Sequence, residues 1–127
     1  MSKKTSDYGD GRRGWRPDSG LRKVFTTNEK RSLAGAVFRA SDLNRVDFSG
    51  ADLRNAEFRG VSLVGADFSD SDLRGASFFG CDLHEALFAG ALFQLTRFDD
   101  SWLIGARGLS ESMSEYVRRR GARIWIS

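Results

Sequence analysis

From Leu33 onward every fifth residue is Leu or Phe: Leu33, Phe38, Leu43, Phe48, Leu53, Phe58, Leu63, Phe68, Leu73, Phe78, Leu83, Phe88, Phe93, Phe98 and Leu103. Two residues before each, from the second onward, stands a small or compact residue: Ala36, Ser41, Val46, Ala51, Ala56, Val61, Ala66, Ser71, Ala76, Cys81, Ala86, Ala91, Thr96 and Ser101, with Ala106 continuing the series. The position between them is mostly polar and often Asp (Asp42, Asp47, Asp52, Asp67, Asp72, Asp82), and the fifth is frequently Gly (Gly50, Gly60, Gly65, Gly75, Gly80, Gly90, Gly105). A helix needs apolar spacing near 3.6 and one long strand needs 2, so a strict period of five drifts around both. The chain must turn after each short segment. With its first and third positions inward a segment keeps the strand alternation, and glycine at the fifth lets the backbone round a corner. No segment can bury its own apolar side chains, so successive coils must stack, with Leu and Phe filling the middle. The pattern predicts an all-β solenoid.

These windows resemble the pentapeptide-repeat family, whose motif runs Ala, Asp or Asn, Leu, then two variable positions. Ala51-Asp52-Leu53-Arg54-Asn55 matches it throughout, and Ala66-Asp67-Phe68 and Ser71-Asp72-Leu73 match closely. The resemblance covers residues 36–105, fourteen windows without a break. It implies a right-handed quadrilateral parallel β-helix with four windows to a turn, hence about 3.5 coils and a body roughly 17 Å tall at the usual strand spacing. On that winding, residues twenty apart stack in columns: Phe38-Phe58-Phe78-Phe98, Leu43-Leu63-Leu83-Leu103, Phe48-Phe68-Phe88 and Leu53-Leu73-Phe93. Like stacks on like except at Phe93, where a packing irregularity is expected.

Outside the period the chain changes character. Residues 1–22 are read as a flexible basic tail, 23–108 as the β-helix with an N-terminal cap to which Leu21, Val24 and Phe25 contribute, and 109–127 as a helix followed by a short extended segment. Leu109, Met113, Tyr116 and Val117 fall at helical spacing and predict a capping or dimerisation helix over about 110–120. Ser110 suits its N-cap, Glu111 its positive end and Arg118, Arg119 and Arg120 its negative end, before Gly121 stops it. Arg123-Ile124-Trp125-Ile126 carries enough apolar surface to need a packing partner, either the last coil or a second copy.

Composition narrows the picture further. A chain of 127 residues with 40% hydrophobic content suits one domain, and ten Phe against three Trp and two Tyr favour rings without a polar handle, as buried positions do. The net charge of +3 divides unevenly: 9 Lys and Arg against 4 Asp and Glu in 1–32, 6 against 11 in 33–105, and 5 against 2 in 106–127. An acidic body therefore lies between basic ends. A single cysteine excludes an internal disulfide, and no stretch approaches a signal peptide or a membrane span, so a cytoplasmic location without membrane contact is expected.

Catalytic readings lack parts. His84 is the sole histidine, at an outward position, and a filled solenoid offers no pocket for a Ser-His-Asp arrangement. His84 with Asp82 or Glu85 makes a weak metal set; Asp67, Asp70 and Asp72 occupy repeat positions without EF-hand spacing; and Cys81 occupies an inward position where a thiol acts as a compact apolar group. No enzyme and no cofactor are expected. What remains is surface. From Phe79 onward outward positions include Leu87, Leu92, Leu95, Trp102 and Ile104, and these, with Met113, Tyr116 and Trp125, form the candidate interface. The expected function is a protein–protein interaction module or scaffold with an unidentified protein partner. Alternatively the C-terminal helix and strand cover this surface, or it forms a homodimer, since the resemblance includes members that dimerise through their C-terminal ends. The family resemblance also implies an alternative, a DNA mimic that binds a type II topoisomerase such as gyrase and protects it from inhibitors. Direct nucleic-acid contact through the basic termini, including Arg12, Arg13, Trp15 and Arg16, is disfavoured because those residues lie outside the periodic body.

Overall fold

The five-residue period closes on itself every twenty residues. A computed structural model describes residues 7–8 and 32–124 of the chain. Strands β2 (Val37–Arg39), β3 (Glu57–Arg59) and β4 (Ser77–Phe79) pair in parallel with Phe38, Phe58 and Phe78 in register, and Ser77↔Arg97 carries this first ladder one rung further. Three more parallel ladders step by twenty: Asp42↔Ser62↔Asp82↔Trp102, Asp47↔Asp67↔Leu87↔Arg107, and Ser32↔Asp52↔Asp72↔Leu92. Parallel neighbours need a crossover between them, and here the three intervening windows supply it by forming rungs of the other ladders. The result is a parallel β-helix.

Two devices make the corners. At most of them the N–H of the small residue donates to the carbonyl of the Leu or Phe three before it, as in Ala51 to Phe48 (3.0 Å), Ala66 to Leu63 (3.0 Å) and Ala86 to Leu83 (3.1 Å). The third residue of such a turn has positive φ, as at Gly50 (70°), which is why glycine recurs there. Seven corners manage without glycine: Ala40, Arg45, Asn55, Asp70, Glu85, Leu95 and Asp100 also have positive φ. The second device is the outward Asp. Asp42, Asp47, Asp52, Asp67, Asp72 and Asp82 each accept the backbone N–H two residues on, at 2.9 to 3.2 Å. A short carboxylate can reach its own backbone in this way, so Asp recurs to hold the turn.

All fifteen inward Leu and Phe residues are buried. Phenylalanine rings twenty apart lie nearly parallel: Phe38–Phe58 at 4.6 Å, Phe58–Phe78 at 4.7 Å, Phe78–Phe98 at 5.1 Å, Phe48–Phe68 at 5.2 Å and Phe68–Phe88 at 5.3 Å between centroids. The two stacks meet edge to face, as Phe58 and Phe68 do at 6.2 Å, so each ring joins both favourable geometries. Phe93 is the irregular rung: it meets Phe88 and Phe98 edge-on and is 8% exposed where the other rings are fully buried. Polar atoms among the inward small residues reach carbonyls of the coil: Thr96 Oγ1 donates to Leu73 (2.6 Å), Ser101 Oγ to Phe78 (3.0 Å) and Cys81 Sγ to Phe58 (3.2 Å). Among the described residues no buried side-chain nitrogen or oxygen lacks a partner.

The ends close the stack. Strand β1 (Asp7–Tyr8) pairs in parallel with β2, Asp7 opposite Val37 and Tyr8 opposite Phe38. Part of the stretch expected to be a flexible tail therefore covers a strand edge that the first coil would otherwise leave open. The remaining N-terminal residues, with Leu21, Val24 and Phe25, lie outside the described residues. At the other end helix α1 spans Glu111–Arg119, with the Ser110 side chain accepting the Met113 N–H at 3.2 Å. Val117 is fully buried, and the Tyr116 hydroxyl donates to the Thr96 carbonyl at 3.1 Å, fastening the helix to the last coil. The chain reaches and leaves α1 through two close approaches: a Cβ at Gly108 would collide with the Ala89 backbone, and one at Gly121 would stand a tight 3.2 Å from Asp99 Cα. Arg123 then pairs with Trp102, donating to Ser101 (2.7 Å) and accepting from Leu103 (2.8 Å), so this segment packs on the last coil. Trp125 and Ile126 lie outside the described residues.

Candidate functional site

Outward positions change character along each ladder. Asp47 and Asp67 are followed by Leu87, Asp52 and Asp72 by Leu92, and Asp82 by Trp102. At these three rungs the turn-holding carboxylate is gone and a large apolar side chain faces out. The structure distributes the sequence-predicted set over four ladders rather than gathering it on one. Phe79 is on β4, Leu87 on the Asp47 ladder, Leu92 on the Asp52 ladder, Trp102 on the Asp42 ladder with Ile104 two residues on, and Leu95 at a corner. Phe79, Leu92 and Trp102 are 42 to 46% exposed and Leu95 is 72% exposed, whereas Leu87 and Ile104 are half-buried. Trp125 is outside the described residues.

Helix α1 regroups some of them. Leu92, Phe93, Met113 and Tyr116, with Ala91, Gln94 and Ser112, line an open apolar groove of about 320 Å³ where the helix lies over the coil. Trp102 and Ile104 join Arg118, Ala122, Arg123 and Ile124 around a second groove of about 270 Å³. Among the described residues, helix α1 and the segment that follows it therefore cover the apolar surface only in part.

The exposed rings of Phe79 and Trp102 and the half-buried ring of Tyr116 each carry an arginine. Arg59 stands over Phe79 at 5.4 Å from the centroid, Arg120 over Tyr116 at 5.2 Å and Arg123 over Trp102 at 4.9 Å. Sequence reasoning missed these pairs. Arg59 and Phe79 are twenty apart and so were legible from the register, but Arg123 is twenty-one from Trp102 and meets it only through the C-terminal strand.

Elsewhere arginine serves the coil. Arg54 grips Asp52 through Nε and Nη2 at 2.8 Å each, and Arg74 grips Asp72 at 2.8 and 2.6 Å. These guanidinium bonds hold both carboxyls below the usual carboxylate range and raise the arginines in turn. That ladder is neutral outside, while the ladder of Asp47 and Asp67 carries no arginine until Arg107. His84 bonds Asp82 on its own rung through Nδ1, which ties the ring to a turn-holding residue. Burial pushes the Cys81 thiol up to about 11, so it remains protonated near neutrality. Among the described residues no three or more His, Cys, Asp or Glu are placed to hold a metal ion, and no helix is long and apolar enough to cross a membrane.

Eight copies of the pentapeptide-repeat model match residues 32–70 and 71–107, well over half of the 127-residue chain. The chain belongs to the pentapeptide-repeat family. Among solved structures this pentapeptide-repeat chain is similar to Rfr23 from the cyanobacterium Cyanothece 51142, at 26% identity and a TM-score of 0.54, over 55% of this chain and 48% of that one. It is also similar to a trypsin-treated form of QnrB1, a plasmid-mediated fluoroquinolone resistance protein, at 24% identity and a TM-score of 0.55, over 61% of this chain and 51% of that one. A pentapeptide repeat protein of the Arabidopsis thaliana thylakoid lumen shares 28% identity over 81% of this chain and 83% of its own, with a TM-score of 0.46. The chain spans about half the length of the first two structures. No curated protein matches it significantly. Family and neighbours together make it a solenoid of the right-handed β-helix type.

Proposed function

We propose that this pentapeptide-repeat protein is a non-enzymatic protein–protein interaction module of the cytoplasm, a four-sided coil whose C-terminal half docks a protein partner. Four ladders stepping by twenty support the quadrilateral winding, and the fourteen windows of 36–105 then make three and a half coils. The observation that carries the reading is the exchange of Asp for Leu87, Leu92 and Trp102 at the ends of three ladders. Each exchange gives up a turn hydrogen bond worth about 0.5–1.5 kcal/mol and exposes apolar surface, which folding alone does not favour. A partner that covers the surface explains both. The test is affinity capture with the full chain, comparing wild type with Leu92→Asp and with Ser69→Asp, a substitution far from the apolar rungs. One protein retained by wild type and Ser69→Asp but lost by Leu92→Asp is expected; equal recovery from all three baits would sink the proposal. If light scattering shows a dimer that Leu92→Asp splits, the partner is a second copy.

A second reading has its own observation. Among the described residues no arginine forms an ion pair with Asp47, Asp67 or Asp70, which leaves an acidic strip, and the solenoid shares its fold with QnrB1, a fluoroquinolone resistance protein. On this reading the chain mimics DNA and binds a type II topoisomerase. The neutral Asp52–Arg54 and Asp72–Arg74 ladder weighs against it. Purified protein should then alter gyrase supercoiling at micromolar levels, and an unaffected reaction removes this reading.

A further inference from the structure

We infer that the groove between Trp102 and the end of α1 docks an acidic protein segment that carries one apolar side chain. This rests on the interaction-module reading and names the chemistry of its partner. The floor is aliphatic: Ile104, Ala122 and Ile124 lie beside the exposed indole of Trp102 in a space of about 270 Å³, close to the lower limit of about 300 Å³ for ordinary ligand pockets. One Leu or Phe side chain suits such a space.

The rim is cationic. Arg123 stands over Trp102, 4.9 Å from its centroid, and Arg118 also lines the groove. Arg54, Arg74, Arg97 and Arg118 each hold a carboxylate of this chain within 3.2 Å. Among the described residues Arg123 meets none within 4 Å, so its guanidinium offers its N–H donors to an incoming acid while it rests on the indole. Residues 106–127 hold 5 Lys and Arg against 2 Asp and Glu, so the surrounding field also draws a negative partner. Arginine and tryptophan beside a desolvated apolar floor are the residue types that dominate binding energy at protein interfaces. A nucleic-acid strand would need a row of cations at phosphate spacing and rings for base stacking, whereas this floor is built from isoleucine and alanine.

The probe is a fluorescein-labelled peptide of glutamates around one central leucine, titrated with the full chain and followed by anisotropy. Saturable binding is expected, weakened about tenfold or more by Arg123→Glu and by Trp102→Ala and unchanged by Arg59→Glu on another ladder. Arg123→Gln, which removes the charge without reversing it, serves if Arg123→Glu fails to fold. A leucine-free glutamate peptide should bind at least several-fold more weakly, and a single-stranded oligonucleotide should not displace the probe. Absence of binding, indifference to Arg123 and Trp102, equal binding of the leucine-free peptide, or displacement by the oligonucleotide would each overturn the inference. If affinity capture yields a partner that Leu92→Asp releases while this peptide does not bind, the module stands and the acidic docking site falls. If capture is also indifferent to Leu92→Asp, both fall.

Discussion

The first coils and the last coils share one interior and differ outside. Phe38–Phe58 and Phe78–Phe98 stack with the same near-parallel geometry, and inward positions are buried at both ends of the rod. Outside, Asp42, Asp47, Asp52, Asp67, Asp72 and Asp82 each bond their own corner, whereas Leu87, Leu92 and Trp102, at the ends of the same three ladders, have no side-chain group that could. Arginine also has two uses, though these are not sorted by coil: Arg54, Arg74 and Arg97 are clamped to aspartate, and Arg59 and Arg123 stand over rings. The contrast separates two demands on one repeat. Interior positions answer to stacking, which recurs from coil to coil with Phe93 as the irregular rung, while exterior positions are free to hold the corner, as the Asp rungs do, or to turn apolar, as at Leu87, Leu92 and Trp102.

The largest effect should come from violating the shared interior. Phe68 is fully buried between Phe48 and Phe88, so Phe68→Asp strands a charge among stacked rings and should unfold the body, a loss of 4 kcal/mol or more by the usual scale, roughly. Ser69→Asp, one residue on and facing out, should stay within about 0.5 kcal/mol in denaturant melts. Comparable losses would mean that inside and outside are not separable. Next in size is the joint between the two regions. Gly108 has φ of 83° and no room for a Cβ above Ala89, so Gly108→Ala should cost about 2 kcal/mol and loosen α1 while the first coils hold. Hydrogen exchange that rises in 109–120 but not at Phe58 is the expected pattern; uniform loss of protection would show that the end cap and the coils unfold as one.

How legible each region was follows from the same contrast. The interior could be read directly, because a period of five with two inward positions leaves few geometries, and the columns place Phe38, Phe58 and Phe78 as the ladder does. Ser110 and Glu111 likewise announced α1 to within a residue of its start. The corners were half legible: glycine marked eight of those from 35 to 105, but Leu95 and Glu85 adopt positive φ with no local signal, because stacking on neighbouring coils overrides their preference. The role of the outward Asp was hidden by its charge, which reads as solvated surface until the backbone N–H two residues on is seen to bond it. The grouping of the site was least legible. Leu92 meets Met113 and Tyr116 only because α1 folds back over the fourth ladder, a long-range contact that no periodicity encodes.

A subtler test exchanges the two kinds of rung within one ladder. Asp72→Leu removes the acceptor for the Arg74 N–H and releases its guanidinium, and should cost about 1 kcal/mol. Leu92→Asn, one coil further, places an acceptor where the Gln94 backbone can use it and loses only a half-exposed side chain, so the net change should lie within about 0.5 kcal/mol. Paired chemical melts distinguish the outcomes. If Leu92→Asn costs as much as Asp72→Leu, Leu92 is needed for folding and the functional reading of its ladder loses its main support.

The smallest effect belongs to the exposed pairs, and its sign is determined by the direction of their shifts. Asp52 and Asp72 have folded pKa values below the ordinary 3.8, chiefly because Arg54 and Arg74 bond their side chains. A depressed carboxyl binds fewer protons in the folded state, so its contribution to stability is present above the ordinary value and is lost as pH falls through it toward the folded one. The thermal midpoint of wild type should therefore exceed that of the Arg54→Gln, Arg74→Gln variant near pH 6, and the gap should narrow progressively as pH falls below the ordinary 3.8. Because the arginines stand in solvent, salt should narrow the gap at pH 6 as well. The apolar rungs make the converse prediction: Leu92→Ala should shift the midpoint equally at both pH values and at both salt concentrations, since nothing at that rung titrates. A pH-independent gap for the arginine variant would show that Arg54 and Arg74 act through packing of their stems, and the two regions would then differ in shape alone rather than in charge.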